Sequence, residues 1–324
     1  MNSKPFKTLN QQLTILRNRG LDVPTKSKRS LEQIGYYALI NGYKWSFLQR
    51  DSSGHVIHSE HYISGATFAE IRSLYDFDAE LRAILYRSLL KYEASLGAEL
   101  SYKFSEAHPE EHSYLAIDNF QRNPDWTGSV VGTISALSRE IQNKLKGDDD
   151  NAVKHYVNKH GHVPLWVLVN FLTFGELNYF YSNMTTDLQL EVAKDFTRMR
   201  VREYRPTHYV PTSPAAIRSV NKIVNLFRNS VAHGEITFSK KLVKSTNMKP
   251  IKQALGITNI ALNSQAGLFE LILCMKLMLT KKDYHRLQKD LKGLFSNYKN
   301  EFTSISFNSV LQDMNFPKRY FDYI

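Results

Sequence analysis

The run Phe68-Ala69-Glu70-Ile71-Arg72-Ser73-Leu74-Tyr75-Asp76-Phe77-Asp78-Ala79-Glu80-Leu81-Arg82-Ala83-Ile84-Leu85-Tyr86-Arg87-Ser88-Leu89 decides the fold class. Through it and on to residue 100, Leu74, Phe77, Leu81, Leu85, Leu89, Leu96 and Leu100 recur at helical spacing and form one apolar stripe. The stripe ends before His108-Pro109. It predicts a long core helix, with Asp76 to Asp78 as the place where it would break.

Neighbouring segments carry the same period. A second helix is expected from about Leu165 to about Met184, with Trp166, Val169, Leu172, Leu177 and Phe180 facing the core and Gly175 as a point of close approach. A third starts after Pro214, where Ser213 is a good N-cap, and buries Ile217, Val220, Ile223, Val224, Phe227 and Val231 before Gly234 ends it. Further helices are expected over 8–19, 29–40, 130–146, 188–198, 265–281 and 284–301. The stretch Trp45 to Tyr62 reads equally as a small β-hairpin or an ordered loop, and Lys240 to Ile251 as an exposed loop. The fold class is therefore all-α, or mostly α, around one shared core.

Composition narrows the function. With 324 residues, 42% hydrophobic and 23% charged, the chain is long and apolar enough to bury a core, which excludes wholesale disorder. A single cysteine, Cys274, rules out an intrachain disulfide framework and Cys-based zinc knuckles. No signal-peptide core and no apolar run near the ~18 residues of a membrane span is visible, so a cytoplasmic protein without membrane contact is expected. The net charge of +11 is concentrated: residues 197–252 hold 12 Lys and Arg against 2 Asp and Glu. Arg198, Arg200, Arg202, Arg205, Arg218, Lys222, Lys240, Lys241 and Lys244 in that window suit a surface that faces a polyanion, although basic surfaces without such a role are common. Tyr204 and Tyr209 lie among these arginines, where an aromatic ring can stack on a base or simply belong to the core.

The segment Leu226-Phe227-Arg228-Asn229-Ser230-Val231-Ala232-His233-Gly234 carries the chemistry. On a helix Asn229 and His233 share a face, and Arg228 lies about 140° from His233. A guanidinium and an imidazole at a helix C-terminus are equipment for acting on RNA. The 2′-hydroxyl attacks its own phosphate, so the protein need only move protons and stabilise developing charge, with no metal or cofactor. The plainer reading is an Arg salt-bridged to an acidic neighbour and a His that hydrogen-bonds the helix end. His155, His160 and His162 have ligand-like spacing but lack convergent Cys or carboxylate company, and Asp148-Asp149-Asp150 reads as an exposed turn.

The string Arg228-Asn229-x-x-x-His233 resembles the Arg-x4-His motif of the HEPN superfamily of RNases and RNA-binding domains. The wider chain is similar to the Abi family of bacterial abortive-infection proteins, in the AbiD/AbiF group. The supporting segments are Lys4-Pro5-Phe6-Lys7-Thr8, Leu16-Arg17-Asn18-Arg19-Gly20-Leu21, Ile34-Gly35-Tyr36-Tyr37, Leu74-Tyr75-x-Phe77-Asp78-x-x-Leu81-Arg82, Pro164-Leu165-Trp166 and Phe174-Gly175-x-Leu177. The resemblance covers roughly residues 4–240. It implies a HEPN-like helical core over 66–240, preceded by a helical or hairpin segment over 1–65; composition and periodicity add a basic loop and helices over 241–324. It also implies a metal-independent endoribonuclease in phage defence, acting as a homodimer on RNA and controlled by a small non-coding RNA. The alternative is a non-catalytic protein that holds such an RNA in the same basic cleft. Arg228 and His233 carry over as catalytic residues, Asn229 as the residue after the Arg, and Glu93 as the partner that orients Arg228. Asn170 departs from the family pattern, which leads one to expect an acidic residue there.

Overall fold

The computed structural model describes residues 5–57 and 60–323, so Lys4 of the N-terminal motif lies outside the described residues. Thirteen α-helices follow in order among the described residues: α1 Leu9–Asn18, α2 Lys28–Ile34, α3 Phe68–Ala107, α4 Pro124–Lys146, α5 Ala152–His160, α6 Leu165–Leu168 and α7 Phe174–Asn183. After them come α8 Thr186–Tyr204, α9 Pro214–Ala232, α10 Lys249–Leu255, α11 Leu268–Met278, α12 Lys281–Tyr298 and α13 Phe307–Asp313. The described residues form no strand, only isolated bridges, and no helix among them is long and apolar enough to cross a membrane. The fold class is mostly α.

The 40 residues of α3 make it the axis of the molecule, about 60 Å long. Its start is a capping box: the Thr67 side chain accepts from the Glu70 amide, and Glu70 accepts from the Thr67 amide at 3.0 Å. The expected break at Asp76 to Asp78 does not occur. Each acid is matched to an arginine one turn away, Arg72 donating to Asp76 at 2.8 Å and Arg82 to Asp78 at 2.5 Å, so the charges support the helix. The whole stripe from Leu74 to Leu100 is buried. Helices α6, α7, α8, α9 and α12 pack along it.

Four further expectations need correction. The segment 165–184 is two helices, because the Thr173 side chain caps α7 by accepting from the Glu176 amide while the Glu176 carboxylate accepts from the Thr173 amide at 2.7 Å. Trp166, expected in the core, is 55% exposed. The helix expected over 29–40 stops at Gly35, whose φ of +88° belongs to the region glycine favours, and a short π-turn over Tyr37–Asn41 follows. In the segment 45–62, antiparallel bridges join Leu48 to Tyr62 and Arg50 to Val56 without forming strands. The basic segment 240–251 is less exposed than its composition suggests. Leu242 and Met248 are buried, the Leu242 amide donates to Ala266 at 3.0 Å, and α10 begins at Lys249. Cys274 is buried in α11, and burial pushes its thiol pKa far up, so it packs as a small apolar group.

The C-terminal segment is tied directly to α3. Buried Glu70 also accepts from the Thr303 and Ser304 amides at 2.7 and 2.6 Å. Although burial disfavours its charge, these donors hold its carboxyl below the usual range.

Candidate active site

Helix α9 begins where Ser213 accepts from the Ala216 amide at 3.2 Å, with Pro214 in the first turn. Its apolar face, Ile217, Val220, Ile223, Val224 and Phe227, is buried. Against α3 the contact is specific as well as apolar: the fully buried Tyr92 hydroxyl donates to Asn221 Oδ1 at 2.6 Å. That bond sets the register of the two helices, and the adjacent residue on α3 is Glu93. Arg228 reaches across to it, with Nε and Nη2 each donating to a Glu93 oxygen at 3.2 Å. The pair is mostly shielded, the side chains being 23% and 12% exposed. Two of the five guanidinium N–H groups are used, which leaves three for another acceptor. Arg228 thus points to α3 rather than curling back along its own helix.

His233 is the residue at which α9 ends. Its amide donates to the Asn229 carbonyl at 3.0 Å, Gly234 adopts a φ of +65°, and the Glu235 amide returns to the Ser230 carbonyl at 2.9 Å. The His233 and Asn229 side chains are exposed and make no hydrogen bond with another described residue. Glu235 sits close enough that the His233 charge helps lower its carboxyl pKa, although the Lys240 hydrogen bond is the larger cause.

The loop beyond His233 is clamped by a residue that the sequence offers only as a helix break and as one position of the Leu74-to-Arg82 segment. Asp78 on α3 is fully buried and accepts from the Phe238 amide at 2.7 Å, the Thr237 amide at 3.1 Å, the Tyr43 hydroxyl at 2.7 Å and Arg82. Burial nevertheless raises its pKa, so the donors offset the desolvation of the carboxylate only in part. The available signal was the pair of acids in an otherwise apolar helical run. Its partners, 35 and about 160 residues away, were not visible.

Most of the basic residues already have partners within the chain. Arg198 pairs with Asp195, Arg202 with Glu203 at 3.5 Å and Lys240 with Glu235 at 2.5 Å. Arg218 donates to Gln189 Oε1 at 2.5 Å, and Lys222 to the Ser245 carbonyl at 2.8 Å. Arg205, Lys241 and Lys244 are exposed and form no ion pair with another described residue. Arg200 faces inward and is only 9% exposed. The cations closest to His233 in sequence, beyond Arg228, are therefore those of the loop that follows it.

Beside the Arg228–Glu93 pair, an open groove of about 850 Å³ runs along α3, lined by Glu93, Ala94, Gly97, Tyr102, Trp166 and Asn170 among others. Asn170 has a local reason to be an amide: its Nδ2 donates to the Trp166 carbonyl at 2.9 Å, which a carboxylate cannot do. The three histidines do not converge. His155 and His160 flank Tyr156 on α5, while His162 lies 3.4 Å from Glu111. Among the described residues no group of three His, Cys, Asp or Glu could hold a metal ion.

The family described as Abi-like protein matches residues 29–239, which includes α3, α9, Glu93, Arg228 and His233. No curated protein and no solved structure matches the chain at a significant level.

Proposed function

Because the chain belongs to the Abi-like protein family, a membership that suggests abortive-infection defence against phage, we propose that it is a HEPN-type endoribonuclease that cleaves RNA without a metal. The observation that carries this reading is the placement of Arg228 and His233. Glu93 holds the guanidinium in a two-point fork with three N–H groups to spare, and five residues on, where α9 ends, an imidazole without a hydrogen-bond partner among the described residues stands in solvent.

In this reading His233 of one copy takes the proton from the 2′-hydroxyl as its oxygen attacks the adjacent phosphorus. The bond from phosphorus to the 5′ oxygen breaks, and His233 of a second copy gives that oxygen a proton. Arg228 stabilises the charge that develops on the phosphate oxygens, which its planar fork fits better than an ammonium does. Asn229, exposed on the same face as His233, orients the strand. Arg205, Lys241 and Lys244 contribute attraction for the phosphate backbone, and the active species is a homodimer because each chain supplies one imidazole.

A second reading rests on the same ion pair. Glu93 neutralises Arg228 in the isolated chain, which suits a protein that holds a cognate small RNA without cutting it. Single-turnover incubation with end-labelled RNA distinguishes the two. The enzyme produces 2′,3′-cyclic phosphate ends in the presence of EDTA, fails on strands with a 2′-deoxy cut site, and loses cleavage in His233→Ala and Arg228→Ala. Wild-type cleavage by either variant would remove the assignment, whereas tight binding with no cleavage selects the second reading.

A further inference from the structure

At the opposite end of α9 from His233 lies a pocket of about 240 Å³ between the C-terminal turns of α8, α10 and α11. Its lining includes Arg200, Tyr204, His208, Tyr209, Gly256 and Lys276. Two of these side chains are cations without a countercharge among the described residues. Arg200 is 9% exposed, and its one hydrogen bond is a long one, 3.4 Å from Nη1 to Thr212 Oγ1. Lys276 is largely enclosed. It donates to the Tyr323 carbonyl at 2.9 Å and stands 6.0 Å from the Tyr284 ring. Among the described residues neither has a carboxylate partner; the nearby acids are engaged elsewhere, Glu203 with Arg202 and Asp283 with the Thr280 hydroxyl.

A buried charge without a partner is costly, and structures ordinarily pair it or leave it out. Burial lowers the pKa of both groups, and no neighbouring carboxylate raises either one. An anion held between two such cations in one cavity would offset that cost. The mouth of the pocket adds an exposed aromatic ring, Tyr209, and an exposed imidazole, His208. Beside Ala254 and Leu255, Gly256 at a φ of +67° contributes a stretch of lining without a side chain.

We propose that this pocket binds a phosphate monoester, with Arg200 and Lys276 on its oxygens and Tyr209 stacked on the attached base. The phosphate has two sources of shared chemistry, a free mononucleotide and the 5′-phosphorylated end of an RNA strand. The site is separate from the Arg228–His233 centre. Arg200 bonds to Thr212, next to the α9 N-cap, and the 19 residues of α9 put the two sites on the order of 25 Å apart. The proposal stands whether or not the chain cleaves RNA.

Calorimetric titration of the full chain at low salt tests it, with inorganic phosphate, adenosine 5′-monophosphate, adenosine, and a short RNA carrying either a 5′-phosphate or a 5′-hydroxyl. Phosphate and the monophosphate are expected to bind saturably and adenosine at least ~10-fold more weakly, because charge-assisted hydrogen bonds to the phosphate are lost. Arg200→Gln and Lys276→Met should each weaken phosphate binding by at least ~10-fold. Tyr209→Ala, on the surface, should weaken the nucleotide and leave inorganic phosphate unchanged. If the 5′-phosphorylated strand binds and the free nucleotide does not, the source is a strand end; the reverse identifies a mononucleotide. Absence of saturable binding by every phosphate up to about 10 mM overturns the proposal. Wild-type affinity in folded Arg200→Gln and Lys276→Met does the same.

Discussion

Replacing Asp78 with Asn keeps the shape of the side chain and removes its charge, so the effect can be worked out from the contacts. The native carboxylate accepts from four groups: Oδ1 from the Phe238 amide, Oδ2 from the Tyr43 hydroxyl and Arg82, and both oxygens from the Thr237 amide. An amide has one acceptor oxygen and an NH2 that donates. If the NH2 takes the Oδ1 position it meets the Phe238 N–H, and if it takes the Oδ2 position it meets Arg82. Either way one donor faces another in a site that is 0% exposed, and Arg82 loses its counterion. A buried unsatisfied group costs roughly 1–3 kcal/mol, and loss of the charge partner adds to this, so the expected cost is about 3–4 kcal/mol. That is a large share of the ~5–15 kcal/mol stability of a folded domain.

The assay for Asp78→Asn is urea unfolding of wild type and variant, together with amide hydrogen exchange over Glu235 to Phe238. Those amides should exchange faster in the variant by more than the global loss explains, because the clamp behind His233 is local. Tyr43→Phe should cost only about 1 kcal/mol, since it removes one of four donors. A stability change below about 1 kcal/mol for Asp78→Asn, with unchanged exchange in the loop, would refute the argument that this carboxylate holds the end of the site.

Two further outcomes follow from the ion pairs. Glu93→Gln should cost about 1–2 kcal/mol, between the values for exposed and fully buried pairs, and should lower RNA cleavage by roughly 10-fold to 100-fold by loosening Arg228. A double-mutant cycle with Arg228→Gln should show coupling above ~0.5 kcal/mol, and zero coupling would break the link between the two residues. Burial, together with the neighbouring Asp195 carboxylate, raises the Glu99 carboxyl pKa to about 7 from 4.5. The folded chain therefore holds a proton that the unfolded chain releases near 4.5. Stability from this source is complete below that pH and is lost as pH rises through about 7. The urea midpoint should fall from about pH 5 to about pH 8 for wild type and stay flatter for Glu99→Gln, and parallel behaviour would count against the raised Glu99 carboxyl.

What the sequence determined by itself is what depends on neighbours within one or two turns. The apolar spacing from Leu74 to Leu100 and the Ser213-Pro214 start of α9 are local signals, and both helices appear where those signals lie. The capping residues Thr173 and Glu176 were equally local, and reading them would have split the segment 165–184 correctly. Continuity of α3 through Asp76 to Asp78 depended on arginines four residues away as well, but the deeper partner of Asp78 is a loop about 160 residues downstream. The site was legible as residue types and not as geometry. Arg228 and Glu93 are 135 residues apart, and only the packing of α9 on α3 makes them a pair. Among Arg198, Arg200 and Arg202, spaced two apart on a helix, the chain alone does not say which one turns inward; the packing of α8 buries Arg200 and leaves the other two in solvent. Lys276 then reaches the same pocket from α11. Helix formation is decided over a few residues by backbone hydrogen bonds and side-chain period, whereas a countercharge or its absence is decided by which surfaces pack together. That is why tertiary structure alone placed the charges.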